Sequence, residues 1–197
     1  ERIHLGGQLQ QITVMFADLQ NFTTISEITA PQELLQILNA HHELIVGVIQ
    51  DHGGTIDKFI GDAVMALYNT PLEQSDHVLR AVRTTLAIRE ALPAFHAQLA
   101  PEFRMKINIG LHTGLAVVGN VGASHLMNFT AVGDTVNVAA RLQSHGHDGQ
   151  IIISESVHEA VSKYVEARRI GPMALKGRTE TITAYEIMNY QRDLVRA

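Results

Sequence analysis

The chain has 197 residues, 46% of them hydrophobic, 18% charged and 5% aromatic, with a formal net charge of −5 and no Cys. That length suits one domain of the common size, about 100–200 residues; the acidic balance excludes a broad footprint for nucleic acid, and the lack of Cys excludes disulfides and thiolate metal sites. No apolar run reaches the roughly 18–20 residues that cross a bilayer, and no signal peptide is visible, so no membrane contact is expected of this segment. It begins at Glu1 rather than Met, so a piece of a longer protein is expected, with any sensor or anchor out of view.

Residues 1–10 read as a polar lead-in broken by Gly6-Gly7. Residues 11–17 have the length and the β-branched content of a strand that ends at Asp18. After Pro31, apolar residues at helical spacing (Leu34, Ile37, Leu38, Ile45, Val48) predict a helix to residue 50, ended by Gly53-Gly54. Runs at 55–60 and 63–68 flank Gly61-Asp62 as a hairpin with an acidic turn. Residues 74–99 predict a long helix, bent or interrupted near Pro93. A second hairpin is expected from strands near 104–112 and 115–120, followed by a tongue over 120–130 and a third strand. A helix from Asp134 to Ser144, a strand at 151–153, a short helix from Ser154 and strands near 165–170 and 181–188 complete the chain. Interleaved helices and strands of this kind indicate a mixed α/β domain. It spans 11–190, between the lead-in and a tail at 191–197.

Two aspartates stand out. Asp18 ends a strand and Asp62 tips a hairpin, so neighbouring strands would bring their carboxylates together, and hard divalent cations take such oxygen ligands plus substrate phosphates. Each could equally cap an element or close a turn. The polar turn after Asp18, with Phe22 and Thr23 at a helix start, would offer backbone N–H groups to an anion. Asn137 and Arg141 are four residues apart and share a helix face amid small and apolar residues; the Arg fork is suited to phosphate oxygens. Lys176-Gly-Arg178 is a weaker basic motif. His145-Gly-His147-Asp148 reads as a polar loop rather than a metal site, lacking a second ligand pair at metal-binding spacing.

Together, Phe16-Ala-Asp18-Leu-Gln-Asn-Phe-Thr23, Lys58-Phe-Ile-Gly-Asp62, Gly110-Leu-His-Thr-Gly114 and Gly133-Asp-Thr-Val-Asn137-Val-Ala-Ala-Arg141 resemble class III adenylyl cyclases in order and spacing, over residues 10–188. The resemblance implies a ferredoxin-like, palm-type α+β fold: a mixed sheet flanked by helices. It implies conversion of ATP to cyclic AMP and pyrophosphate with two Mg²⁺ (or Mn²⁺), in a cytoplasmic signalling protein. Asp18 and Asp62 resemble the metal-binding aspartates, with the Leu19 carbonyl as a further ligand. Lys58 and Thr130 match the purine-selecting positions, Asn137 the ribose-orienting residue and Arg141 the transition-state arginine. Lys176 resembles the lysine on the β- and γ-phosphates. The family also implies a homodimer with composite sites: carboxylates from one subunit, and Lys58, Thr130, Asn137, Arg141 and Lys176 from the other. Two positions depart from the common pattern: Asn21 stands where Gly is common, and Thr130 where many members carry Asp. Thr at that position is similar to the bicarbonate-responsive subgroup, which implies bicarbonate as an effector. Rival readings are a guanylyl cyclase, which Lys58 opposes, a catalytically dead partner module, and a palm-type enzyme making cyclic dinucleotides. The tongue, with Leu126, Met127 and Phe129, could serve a dimer surface or fold onto its own core.

Overall fold

The first strand decides the architecture. β1 (Gly6–Leu19) is a 14-residue strand whose second half is almost wholly buried, and it pairs antiparallel with β3 (Ala63–Tyr68) on one side and β4 (Ile107–Ala123) on the other. The computed structural model describes residues 6–123, 125–174 and 181–191. Their strands form one eight-stranded sheet in the order β2-β3-β1-β4-β6-β8-β7, with β5 (Leu126–Val132) added to the far half of β4. β2 is Thr55–Ile60, β6 Ile151–Ser154, β7 Val165–Ala174 and β8 Thr181–Tyr190. β4 and β6 run parallel; every other pairing is antiparallel. This is the expected mixed sheet flanked by helices.

One face packs on α2 (Pro31–Asp51), α3 (His77–His96) and α5 (Glu155–Val161) through the larger core cluster, which includes Met15, Ile45, Ile49, Leu86, Ile109 and Val157. The other face holds a smaller cluster (Ile12, Val14, Phe16, Met65, Leu67, Val118, Ala131) closed by Ala139 of α4 (Asp134–His145). That cluster joins β5 to β3, and Thr130 of β5 touches Asp57 of β2. The sheet therefore curls strongly, bringing β5 back over β2 although three strands separate them in the sheet order.

Four expectations need correction. Residues 6–10 are the start of β1, paired to 116–120 of β4, not a lead-in. The 104–112/115–120 hairpin does not exist, because β4 runs unbroken through Gly114. Gly114 falls where the turn was expected but answers to packing, as does Gly110 within the strand. A Cβ on Gly110 would lie 2.3 Å from the Gln143 nitrogen and 2.4 Å from the Ala139 oxygen, and one on Gly114 would lie 2.8 Å from Thr135 Oγ1. Both places are where α4 presses on β4. Nor does Pro93 interrupt α3, which continues to His96 as Ala97 N–H bonds to the Pro93 carbonyl. Finally, the tongue does not fold onto its own core: Leu126 is 76% and Phe129 42% exposed.

The contact at Gly110 gives a stability prediction. Gly110→Ala places a methyl against α4 backbone that cannot swing aside, and overpacking of this kind costs about 3 kcal/mol. Denaturant midpoints of the two proteins measure it. An unchanged midpoint would mean that α4 can retreat from β4 freely.

Candidate active site

The carboxylate pair is built by β1 and the β2–β3 turn. Ala17 of β1 pairs with Val64 of β3, so Asp18, the next residue, lies beside the turn that carries Asp62. Gly61 takes φ 63°, a conformation that makes the tight two-residue turn easy for Gly and costly for other residues. His42 of α2 braces this turn: its Nε2–H donates to the Asp62 carbonyl at 3.2 Å, and its ring stacks on Phe59 with centroids 4.6 Å apart.

Burial pushes the Asp18 carboxyl up from the ordinary 3.8 to about 6, and the neighbouring Asp62 carboxylate adds to the shift through charge and a hydrogen bond. A hydrogen bond from Gln143 of α4 works the other way. Asp18 is not the cap of the helix after it: α1 (Phe22–Ile28) has Asn21 at its N-cap position. Two adjoining carboxylates, one of them resisting ionisation, are what a divalent cation would relieve. The residues present therefore fit the implied metal. The Leu19 side chain is buried in the core, which leaves only its carbonyl as a candidate ligand.

The sign of the Asp18 shift fixes a pH effect. Folding raises its pKa, so its contribution to stability is fully present below pH 3.8 and is lost as pH rises through about 6. In metal-free protein Asp18→Asn should therefore be the more stable form at pH 7.5, by about 1 kcal/mol after allowance for screening at a half-buried group. The advantage should vanish near pH 4. Melting curves with chelator across that range test it, and an Asn variant no more stable at pH 7.5 would refute it.

Asn21 adopts φ 65°. Among non-glycine residues Asn tolerates this left-handed conformation best, so the departure from Gly preserves the turn into α1. Phe22 packs partly against the core and Thr23 is exposed; the first N–H groups of the helix have no intrahelical acceptor.

Lys58 and Thr130, far apart in sequence, meet through Asp57. The Lys58 ammonium lies 3.3 Å from Asp57 Oδ1, and the Thr130 hydroxyl donates to Asp57 Oδ2 at 2.6 Å. On α4, Thr135, Val138, Ala139 and Leu142 are buried, while Asn137 is exposed and Arg141 half-buried. Neither polar side chain has a hydrogen-bond or ion-pair partner among the described residues. Lys176 lies outside the described residues. No group of three or more His, Asp or Glu suited to a metal occurs among the described residues, and in the His145–Asp148 loop Asp148 is paired with Lys106 at 2.5 Å.

Sequence reasoning missed Asp57, Gln143 and His42. Asp57 had a weak signal, a carboxylate beside Lys58 in an otherwise apolar strand. Gln143 and His42 had none, because only the packing of α4 and α2 aims them at the aspartates.

Fold and site together define an α+β domain with a carboxylate pair at the rim of a curled sheet. Residues 6–189 match the Adenylate and Guanylate cyclase catalytic domain family, and the chain belongs to it, among the class III cyclases. The chain is 40% identical to Adenylate cyclase 1 of Rhizobium meliloti (strain 1021), across 96% of this chain and 30% of that protein. It is 32% identical to an adenylate cyclase of Anabaena cylindrica, across 95% of this chain and 39% of that protein, so it spans well under half the length of both. The crystal structure of the adenylyl cyclase CyaB from P. aeruginosa superposes with a TM-score of 0.90 at 32% identity, covering 96% of this chain and 100% of that one. That of the guanylyl cyclase Cya2 gives 0.84 at 33%, covering 96% and 98%. Domains of this family work as dimers on ATP or GTP and use divalent metal ions.

Proposed function

We propose that the chain is the catalytic domain of an adenylyl cyclase in a cytoplasmic signalling protein, forming 3′,5′-cyclic AMP and pyrophosphate from ATP. The observation that carries this reading is a single hairpin, β2–β3. It presents Asp62 beside Asp18 and, four residues earlier, Lys58 in contact with Asp57, which also holds Thr130. No helix among the described residues is long and apolar enough to cross a membrane.

Asp18 and Asp62, with the Leu19 carbonyl, would hold two Mg²⁺ or Mn²⁺ ions. Such ions lower the pKa of a bound hydroxyl and neutralise phosphate charge. The rest of the work falls to the chain's own side chains. Lys58 and Thr130 read the adenine edge, and Asn137 holds the ribose so that its 3′-oxygen lines up with the α-phosphorus. The new O–P bond forms as the bond to the β-phosphate oxygen breaks. Pyrophosphate leaves with the electron pair, and the hydroxyl proton is released to the surrounding water. Arg141 meets the charge that grows on the α-phosphate, where a preorganised donor acts most strongly. Phe22 and Thr23 N–H groups and Lys176 receive the remaining phosphates.

Incubating the purified domain with ATP or GTP and Mn²⁺ or Mg²⁺, then identifying products, tests the proposal. Cyclic AMP as the main product is expected. Predominant cyclic GMP would overturn the adenine assignment, and no cyclic product would overturn the enzymatic one. Two partners belong to the same reading: a second copy of the chain, and bicarbonate as effector. Turnover at fixed pH and ionic strength, with and without bicarbonate, tests the latter.

A further inference from the structure

Asp57 is unusual for a charged residue on a strand. Its side chain is 0% exposed, and a β-bulge isolates it, since Ile56 pairs with Ala66 and Lys58 with Met65 while Asp57 has no cross-strand partner. In a regular strand, neighbours 57 and 58 would point to opposite faces. The bulge re-aims them, so that the Lys58 ammonium lies 3.3 Å from Asp57 Oδ1. The other oxygen, Oδ2, accepts from the Thr130 hydroxyl at 2.6 Å and from the Ala131 N–H at 3.4 Å. Oδ1 has no hydrogen-bond partner of its own. Burial of a carboxylate is costly unless it is paired and hydrogen-bonded, and every group that meets this one is a donor.

We propose that Asp57 is a positioning residue that sets the purine preference, by taking the Thr130 hydroxyl proton and so leaving Thr130 only an acceptor towards the base. This rests on the reading of Lys58 and Thr130 as the base-reading pair. A free threonine hydroxyl can donate or accept and would read either purine. With its one proton committed to Asp57, only lone pairs remain. Lys58 is a donor without acceptor capacity, and Asp57 steadies its ammonium. The pair then offers one donor and one acceptor side by side. Adenine matches this, with N1 accepting and the 6-amino group donating. Guanine opposes it at both atoms, with a donating N1–H and an accepting O6. The device gives an uncharged Thr the polarity of a carboxylate without putting a second negative charge next to the nucleotide.

The test compares kcat/KM for ATP, GTP and inosine triphosphate in the wild type, Asp57→Asn, Thr130→Val and the double variant. Asn at position 57 keeps the shape but can donate its amide hydrogen to the Thr130 oxygen, which frees the hydroxyl proton to face the base. The ATP:GTP ratio should fall about tenfold, the worth of one hydrogen bond, mainly through KM. Inosine triphosphate, which has O6 and N1–H but no 2-amino group, should gain alongside GTP. In the Thr130→Val background Asp57→Asn should change the ratio by less than about twofold, as expected of residues acting as one unit. An equal loss on all three nucleotides, with Thr130→Val still shifting the ratio, would make Asp57 merely structural and overturn the proposal. If instead neither Thr130→Val nor Lys58→Ala shifts the ratio, the base-reading assignment itself fails. Should Asp57→Asn not fold, Asp57→Ser removes the same carboxylate and is judged by the same ratio.

Discussion

Arg141→Ala is expected to lower kcat for cyclic AMP formation by about 10²–10³-fold, the usual effect of removing one transition-state donor. The melting temperature should move by no more than about 2 °C, because changes at partly exposed positions outside the core are usually worth under half a kcal/mol. The structure explains the separation. α4 is anchored by Thr135, Val138, Ala139 and Leu142, all buried, so Arg141 is not needed to hold it in place. Its guanidinium meets no carboxylate among the described residues, which leaves its five donors for a ligand. Loss of an interaction made only as charge develops on the α-phosphate lowers kcat and kcat/KM together, so KM for ATP should stay nearly constant. Arg141→Lys should restore little, since a point charge cannot reproduce the planar fork. Near-wild-type turnover by well-folded Arg141→Ala would remove Arg141 from the mechanism.

The parts of this site differed in how far sequence could reach. Asp18, Lys58, Asp62, Asn137 and Arg141 lie in short contiguous motifs whose element types follow from local pattern, and the elements carrying the last four came out close to expectation, while β1 is longer than expected at both ends. β2 and β3 have the expected limits, and α4 ends one residue later than predicted. What pattern could not supply was long-range geometry. Glycine gives one signal for two causes: Gly61 is a turn with φ 63°, whereas Gly114 makes room for α4 inside a continuous strand. The second cause was taken for the first, and one long strand was split in two. The bulge at Asp57 depends on how β2 meets β3, and the Asp57–Thr130 bond joins residues 73 apart through the curl of the whole sheet. Local periodicity carries no trace of either.

Mixing Asp62→Ala subunits with Arg141→Ala subunits should restore activity that neither variant has alone. The helical geometry of α4 supports this. Gln143 turns its side chain to Asp18 of its own chain. At about 100° per residue, Arg141 is rotated some 160° from Gln143, and Asn137 some 120°. Both therefore face away from their own chain's carboxylates, and the simplest way to complete a site is a second copy that presents its α4 to the first. An apolar stripe is available for that contact. Leu9, Val117 and Val132 are exposed and lie opposite one another across β1, β4 and β5, with Leu115 alongside. In a heterodimer the Arg141→Ala subunit supplies intact aspartates to one site while the Asp62→Ala subunit supplies its Arg141; the other site lacks both. Random pairing makes half the dimers mixed, each with one working site of two, so activity should reach about a quarter of wild type in a symmetric two-site dimer. Differently tagged subunits, co-purified and assayed for cyclic AMP, give the measurement. If heterodimers form and remain inactive, each chain must build its site alone, and α4 would have to turn by nearly half a revolution to bring Arg141 to Asp18.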